Sequence, residues 1–168
     1  GKSIVLTIDE VIQYRCEREL ERAMADTRSE KGIILAMDPM TGEVLAMAMR
    51  PTFDPNDYSR YPSSLRRNIA VCDMFEPGST FKVVTAAAAL EEGVVTPNTG
   101  FYDPGYIKVE DRTIRCWKAG GHGSQSFTEA VENSCNPVFA TLAVRLGSET
   151  FARYVRAFGL TDKTGIDF

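Results

Sequence analysis

A serine and a lysine stand three residues apart in Phe75-Glu76-Pro77-Gly78-Ser79-Thr80-Phe81-Lys82. The Pro-Gly pair marks a turn, and the run from Val83 to Leu90 is so rich in alanine and apolar residues that it reads as a buried helix opened by Ser79. Residues three apart share a helix face, so the Ser79 hydroxyl can meet the Lys82 amine as a nucleophile beside a base. A free lysine titrates near pH 10.4 and is a poor base at neutrality. Burial and the positive end of a helix dipole both disfavour its ammonium form, and the same helix start offers free backbone amides to a developing oxyanion. The plainer reading is that Ser79 is only an N-cap.

A second polar pair, Ser134 and Asn136 of Ser134-Cys135-Asn136, lies where one helix stops and Pro137 starts the next. Polar side chains at such a break can leave the core and line a cleft, or can simply cap the two helices. His122 is the only histidine, so a Ser-His-Asp arrangement would have to run through it. A loop histidine with a structural hydrogen bond is the better reading. Ala119-Gly120-Gly121-His122-Gly123 lacks the order and the preceding buried strand of a phosphate cradle and reads as a plain flexible loop.

The elements that position these residues follow from patterning. Thr7-Ile8-Asp9-Glu10 fits a capping box, ahead of an amphipathic helix in which Val11, Ile12, Cys16, Leu20 and Met24 share a face up to about Thr27. Residues 32–37 and 43–49 form a β-hairpin. Both runs are almost continuously apolar, so the sheet is expected to be covered on both faces, by the helix before it and the alanine-rich helix after it. Two strands do not make a stable sheet, and further strands are hard to find. Residues 50–68 read as a long loop, 96–105 as a second turn-rich stretch, and 106–117 as a short exposed hairpin. Ser126 or Thr128 caps a helix near Glu129, another helix carries Val138, Phe139, Leu142, Val144 and Leu146, and a last one runs from Phe151 to Phe158.

The chain has 168 residues, 25% of them charged and 43% hydrophobic, enough for one domain with a sizeable core and against disorder. A net charge of −4 gives no electrostatic footprint for nucleic acid. No apolar run is long enough to span a membrane, and no signal peptide is evident. Cys16, Cys72, Cys116 and Cys135 stand far apart without a C-x-x-C, which argues against a zinc cluster and leaves disulfides open; neither metal nor cofactor is expected.

Taken together and in order, Ser79-Thr80-Phe81-Lys82 and Ser134-Cys135-Asn136 resemble the first two motifs of the penicillin-recognising serine enzymes. The flanks Leu6-Thr7-Ile8-Asp9, Asp38-Pro39, Thr41-Gly42-Glu43-Val44-Leu45-Ala46-Met47, Arg50-Pro51-Thr52-Phe53-Asp54-Pro55-Asn56 and His122-Gly123 resemble a class B penicillin-binding protein of the division or sporulation type. The resemblance implies an α+β fold, the antiparallel hairpin and helical subdomain of a serine β-lactamase/D,D-peptidase-like transpeptidase, with 1–168 the N-terminal half of a single domain, truncated before the later sheet strands. It implies Ser79 as acylated nucleophile, Lys82 as general base, Ser134 as proton relay and Asn136 as holder of the substrate amide. The substrates would be peptidoglycan stem peptides ending in D-Ala-D-Ala, with β-lactams as covalent inhibitors. The parent protein would be membrane-anchored, in a cell-wall synthesis complex on the extracytoplasmic face of the bacterial membrane. Lys163-Thr164-Gly165 matches the family's third motif in letters only and reads as a decoy, so this chain alone is expected to have little activity. The alternatives are a serine β-lactamase or penicillin sensor, and an inactive scaffolding module.

Overall fold

The computed structural model of the chain describes residues 3–166, which fall into two compact units, Gly1–Phe75 and Glu76–Phe168. In the first unit, helix α1 (Glu10–Thr27) precedes an antiparallel hairpin of β1 (Gly32–Met37) and β2 (Val44–Arg50). The cap of α1 is Asp9 and not Thr7: its carboxylate accepts from the Ile12 amide at 2.9 Å, while the Thr7 hydroxyl donates to the Val44 carbonyl. Asp9 wins because a carboxylate both accepts the orphan amides and complements the positive helix end.

Helix α1 lies along β2, whose free edge it serves with a side chain. The Gln13 amide accepts from the Met47 N–H at 2.8 Å and donates to the Met47 carbonyl at 3.2 Å. Gly32 makes this approach possible, since a Cβ there would meet Leu20 Cδ1 at 2.7 Å. Among the described residues only one face of the sheet is well covered. Ala46 and Ala48 are buried, but Ile33, Leu35 and Met37 are 39 to 51% exposed in alternation along β1, which corrects the expectation of cover on both faces. Residues 50–68 hold a 3₁₀ stretch, Pro55–Arg60, and Asn68 caps a short helix α2 (Ile69–Cys72).

In the second unit, a 3₁₀ turn (Gly78–Phe81) leads into α3 (Lys82–Glu91). Strand β3 (Gly100–Asp103) pairs antiparallel with β6 (Gly123–Ser126), and β4 (Tyr106–Val109) with β5 (Arg112–Arg115). Helices α4 (Phe127–Glu132) and α5 (Asn136–Ala157) follow. The alanines of α3 let its backbone come close to α5, and Ala88, Ala89, Val95, Phe127, Ala130, Cys135, Val138, Phe139, Leu142 and Leu146 form the core. The 106–117 hairpin and the Ser126 cap are as expected, the latter a full capping box with Glu129. The turn-rich stretch 96–105 contains β3, and the glycine-rich loop ends in β6. Strand β6 is Gly-Ser-Gln-Ser and β3 places only the adjacent Phe101 and Tyr102 between Gly100 and Asp103, so neither four-residue strand shows an apolar alternation to read. The span α5 is two helices that meet at Gly147, whose φ of 73° and ψ of 161° are not helical, and the second of them holds the helix expected at 151–158. The fold is α+β with small antiparallel sheets, as expected.

Candidate active site

Ser79 lies inside the 3₁₀ turn and is exposed. Neither this turn nor α3 has a side-chain cap, so the plainer reading of Ser79 as an N-cap fails and its hydroxyl is free for other work. Helix α3 itself begins at Lys82, one turn later than expected. Lys82 falls on the same stripe as Thr85 and Ala89, both buried, which draws its stem inward.

The Lys82 amine donates three hydrogen bonds: 2.7 Å to the Ser134 carbonyl, 2.9 Å to Ser134 Oγ and 2.6 Å to Asn136 Oδ1. An ammonium has three donors and no acceptor, so all of its capacity is used on the Ser134-Cys135-Asn136 segment. Burial lowers the Lys82 pKa, against smaller opposing influences from the Cys135 and Cys116 thiols, and the amine also sits 5.3 Å from the centre of the Phe139 ring. Lys82, Ser134 and Asn136 are thus brought together. The Ser79 hydroxyl makes no hydrogen bond to any of them among the described residues.

The break between α4 and α5 is sharp. Ser134 is left-handed at φ 48°, a conformation that costs a residue other than glycine roughly 1–2 kcal/mol. Cys135, at the cap position of α5, makes no side-chain cap, so neither Ser134 nor Asn136 serves as one. Asn136 bridges instead, accepting from Lys82 and donating through Nδ2 to the Arg115 carbonyl at 3.0 Å.

A sequence profile of the penicillin binding protein transpeptidase domain matches residues 32–168. This chain belongs to that family. It is 48% identical to stage V sporulation protein D of Bacillus subtilis over 99% of its own length and 26% of the relative's. It is 34% identical to the peptidoglycan D,D-transpeptidase MrdA of Acinetobacter baumannii, again over 99% of this chain and 26% of the relative. Among solved structures, penicillin binding protein 3 of Mycobacterium tuberculosis superimposes with a TM-score of 0.90 at 34% identity, over 99% of this chain and 37% of that one. The chain spans about a quarter of the length of these curated relatives.

Behind the Ser134 segment of this transpeptidase family member lies a buried polar cluster that sequence reasoning missed. Asp103, fully buried at the end of β3, accepts from the Gly105 amide (2.7 Å), the His122 amide (3.0 Å), His122 Nδ1 (3.0 Å) and the Cys135 thiol (3.2 Å). Burial alone would raise its pKa, but hydrogen bonds from Cys116, Gly105, Cys135 and His122 outweigh it and hold the carboxyl below its ordinary range. Burial pushes the Cys135 thiol up to about 11 and also raises Cys116. His122 therefore has the structural hydrogen bond expected of it, and Ser79 is not among its partners.

The expectation against a metal cluster rested on local spacing, whereas the fold gathers donors from four segments. Ligand atoms of Asp103, Cys116, His122 and Cys135 all lie within 4.8 Å of one another, a two-thiol, one-imidazole, one-carboxylate set that suits a tetrahedral, zinc-like cation. Gly121 closes the cradle, because a Cβ there would strike the Asp103 carbonyl and the Gly105 nitrogen at 2.3 Å. Lys163-Thr164-Gly165, by contrast, is exposed and outside any strand.

Proposed function

We propose that the chain is the N-terminal, nucleophile-bearing half of a single serine D,D-transpeptidase domain that cross-links peptidoglycan. The observation that carries this reading is the single amine of Lys82 bound at once to Ser134 Oγ and Asn136 Oδ1, one helical turn from an uncapped, exposed Ser79. In its neutral form Lys82 takes the Ser79 proton as Oγ attacks the carbonyl of the penultimate D-alanine of a stem peptide. The tetrahedral oxyanion is met by the Ser79 amide at the start of the helical turn. As the peptide C–N bond breaks, the proton passes from Lys82 through Ser134 Oγ to the departing D-alanine amine, leaving an ester on Ser79. An amine of a second stem peptide then attacks that ester and releases Ser79. Asn136, fixed between Lys82 and the Arg115 carbonyl, orients the substrate amide.

The parent acts at the extracytoplasmic face of the bacterial membrane, held by an anchor and joined to a cell-wall synthesis complex. Among the described residues no helix is long and apolar enough to cross a membrane. β-Lactams acylate the same serine because their strained amide mimics the D-Ala-D-Ala bond. Intact-protein mass spectrometry of the full-length protein treated with benzylpenicillin tests this: a single adduct is expected, absent from Ser79→Ala. An adduct that survives Ser79→Ala overturns the assignment.

A further inference from the structure

The segment Arg115-Cys116-Trp117 leaves β5 and is tied at both ends to the catalytic segment. Asn136 Nδ2 donates to the Arg115 carbonyl at 3.0 Å, and Trp117 Nε1 donates to the Asn133 carbonyl at 2.8 Å. Between these ties Cys116 turns inward to Asp103 and His122, so Arg115 and Trp117 are left outward. Trp117 is 68% exposed, an unusual state for so large an apolar side chain. Its pose is nevertheless fixed, by the hydrogen bond to Asn133 and by an edge contact with the His122 ring at 5.4 Å between centroids. A fixed, exposed indole is a platform on which a ligand can lie with little ordering cost. Arg115 is exposed too, and no carboxylate among the described residues pairs with it.

Resting on the transpeptidase reading, we propose that Arg115 and Trp117 form a specificity subsite for the part of the stem peptide that precedes the reacting D-alanine. It takes a residue with an aliphatic side chain that ends in a carboxylate. The aliphatic stretch lies on the Trp117 indole, and the free guanidinium of Arg115 pairs with the carboxylate. The two hydrogen bonds tie both residues to the segment that carries Ser134 and Asn136, which puts them beside the residue that holds the D-alanine amide.

The test uses the full-length protein and three penicillins: benzylpenicillin, one acylated with an aliphatic chain ending in a carboxylate, and its carboxamide isostere. Second-order acylation rates are read by stopped-flow. The wild type is expected to prefer the carboxylate over the carboxamide by roughly 3- to 10-fold, as for a partly exposed charge-assisted pair. Arg115→Gln should bring that ratio to about one and Arg115→Lys should restore part of it. Trp117→Leu should lower both chain-bearing rates relative to benzylpenicillin, leaving their ratio intact. No carboxylate preference in the wild type, or a preference that survives Arg115→Gln, overturns the subsite. Failure of benzylpenicillin to acylate Ser79 overturns the transpeptidase reading instead.

Discussion

Replacing Asp103 by asparagine is a one-atom change with a calculable cost. Oδ2 accepts three hydrogen bonds and Oδ1 one. The least damaging amide orientation puts Nδ2 where Oδ1 was, so the Gly105 N–H and one amide N–H face each other with no acceptor. A buried donor left unpaired costs about 1–3 kcal/mol. The three remaining bonds fall from charge-assisted to neutral, about 0.5–1 kcal/mol each. Relief from burying a carboxylate offsets part of this, leaving a net destabilisation of roughly 2–4 kcal/mol. Trp117 is the sole tryptophan and touches His122, so its fluorescence during urea unfolding reports on this cluster. The midpoint should fall without a change in slope. Because Cys135 lies between Ser134 and Asn136, acylation of Ser79 should slow as well. An Asp103→Asn protein that unfolds within about 0.5 kcal/mol of wild type would refute the idea that the carboxylate anchors the catalytic segment.

Further outcomes follow from the same geometry. The rate of acylation by benzylpenicillin should rise with pH as Lys82 loses its proton, with a midpoint below that of free lysine because burial lowers its pKa. Phe139→Leu removes the ring that favours the ammonium and should move the midpoint lower still; a midpoint at or above about 10.4 would contradict Lys82 as the base. Cobalt(II) added to the reduced protein should give thiolate-to-metal charge-transfer absorption that Cys135→Ala abolishes, because coordination deprotonates the thiols; no such band would show that the four donors do not close on a cation. Lys163→Ala should leave the acylation rate within about twofold of wild type, the usual reach of an exposed change away from the chemistry. A drop of tenfold or more would show that the Lys163-Thr164-Gly165 letters do serve as the third motif.

What the sequence disclosed and what it hid divide along the range of the interactions. The Ser126 cap and the 106–117 hairpin are local patterns, and the spacing of residues carries them. The hairpin 32–50 was legible as strands because of its aliphatic runs, but its exposed face was not. Residues such as Ile33 and Leu35 look the same whether covered or open, and only the placement of α1 on one side decides. Strands β3 and β6 were hidden because each is only four residues long and neither alternates apolar with polar residues. The Asp103 cluster was hidden for a stronger reason: its four members come from β3, the end of β5, the glycine-rich loop and the α4–α5 break, so no window of sequence contains the site. Two residues still gave a partial signal. His122-Gly123 matched the family's flanks, and Cys135 stood in the middle of Ser134-Cys135-Asn136. The structure gives that middle position a purpose. With Lys82 pulling on Ser134 and Asn136 from one side and Asp103 holding Cys135 from the other, the left-handed turn at Ser134 is fixed from both faces. On the transpeptidase reading proposed above, that holds Ser134 and Asn136 in place before any substrate arrives.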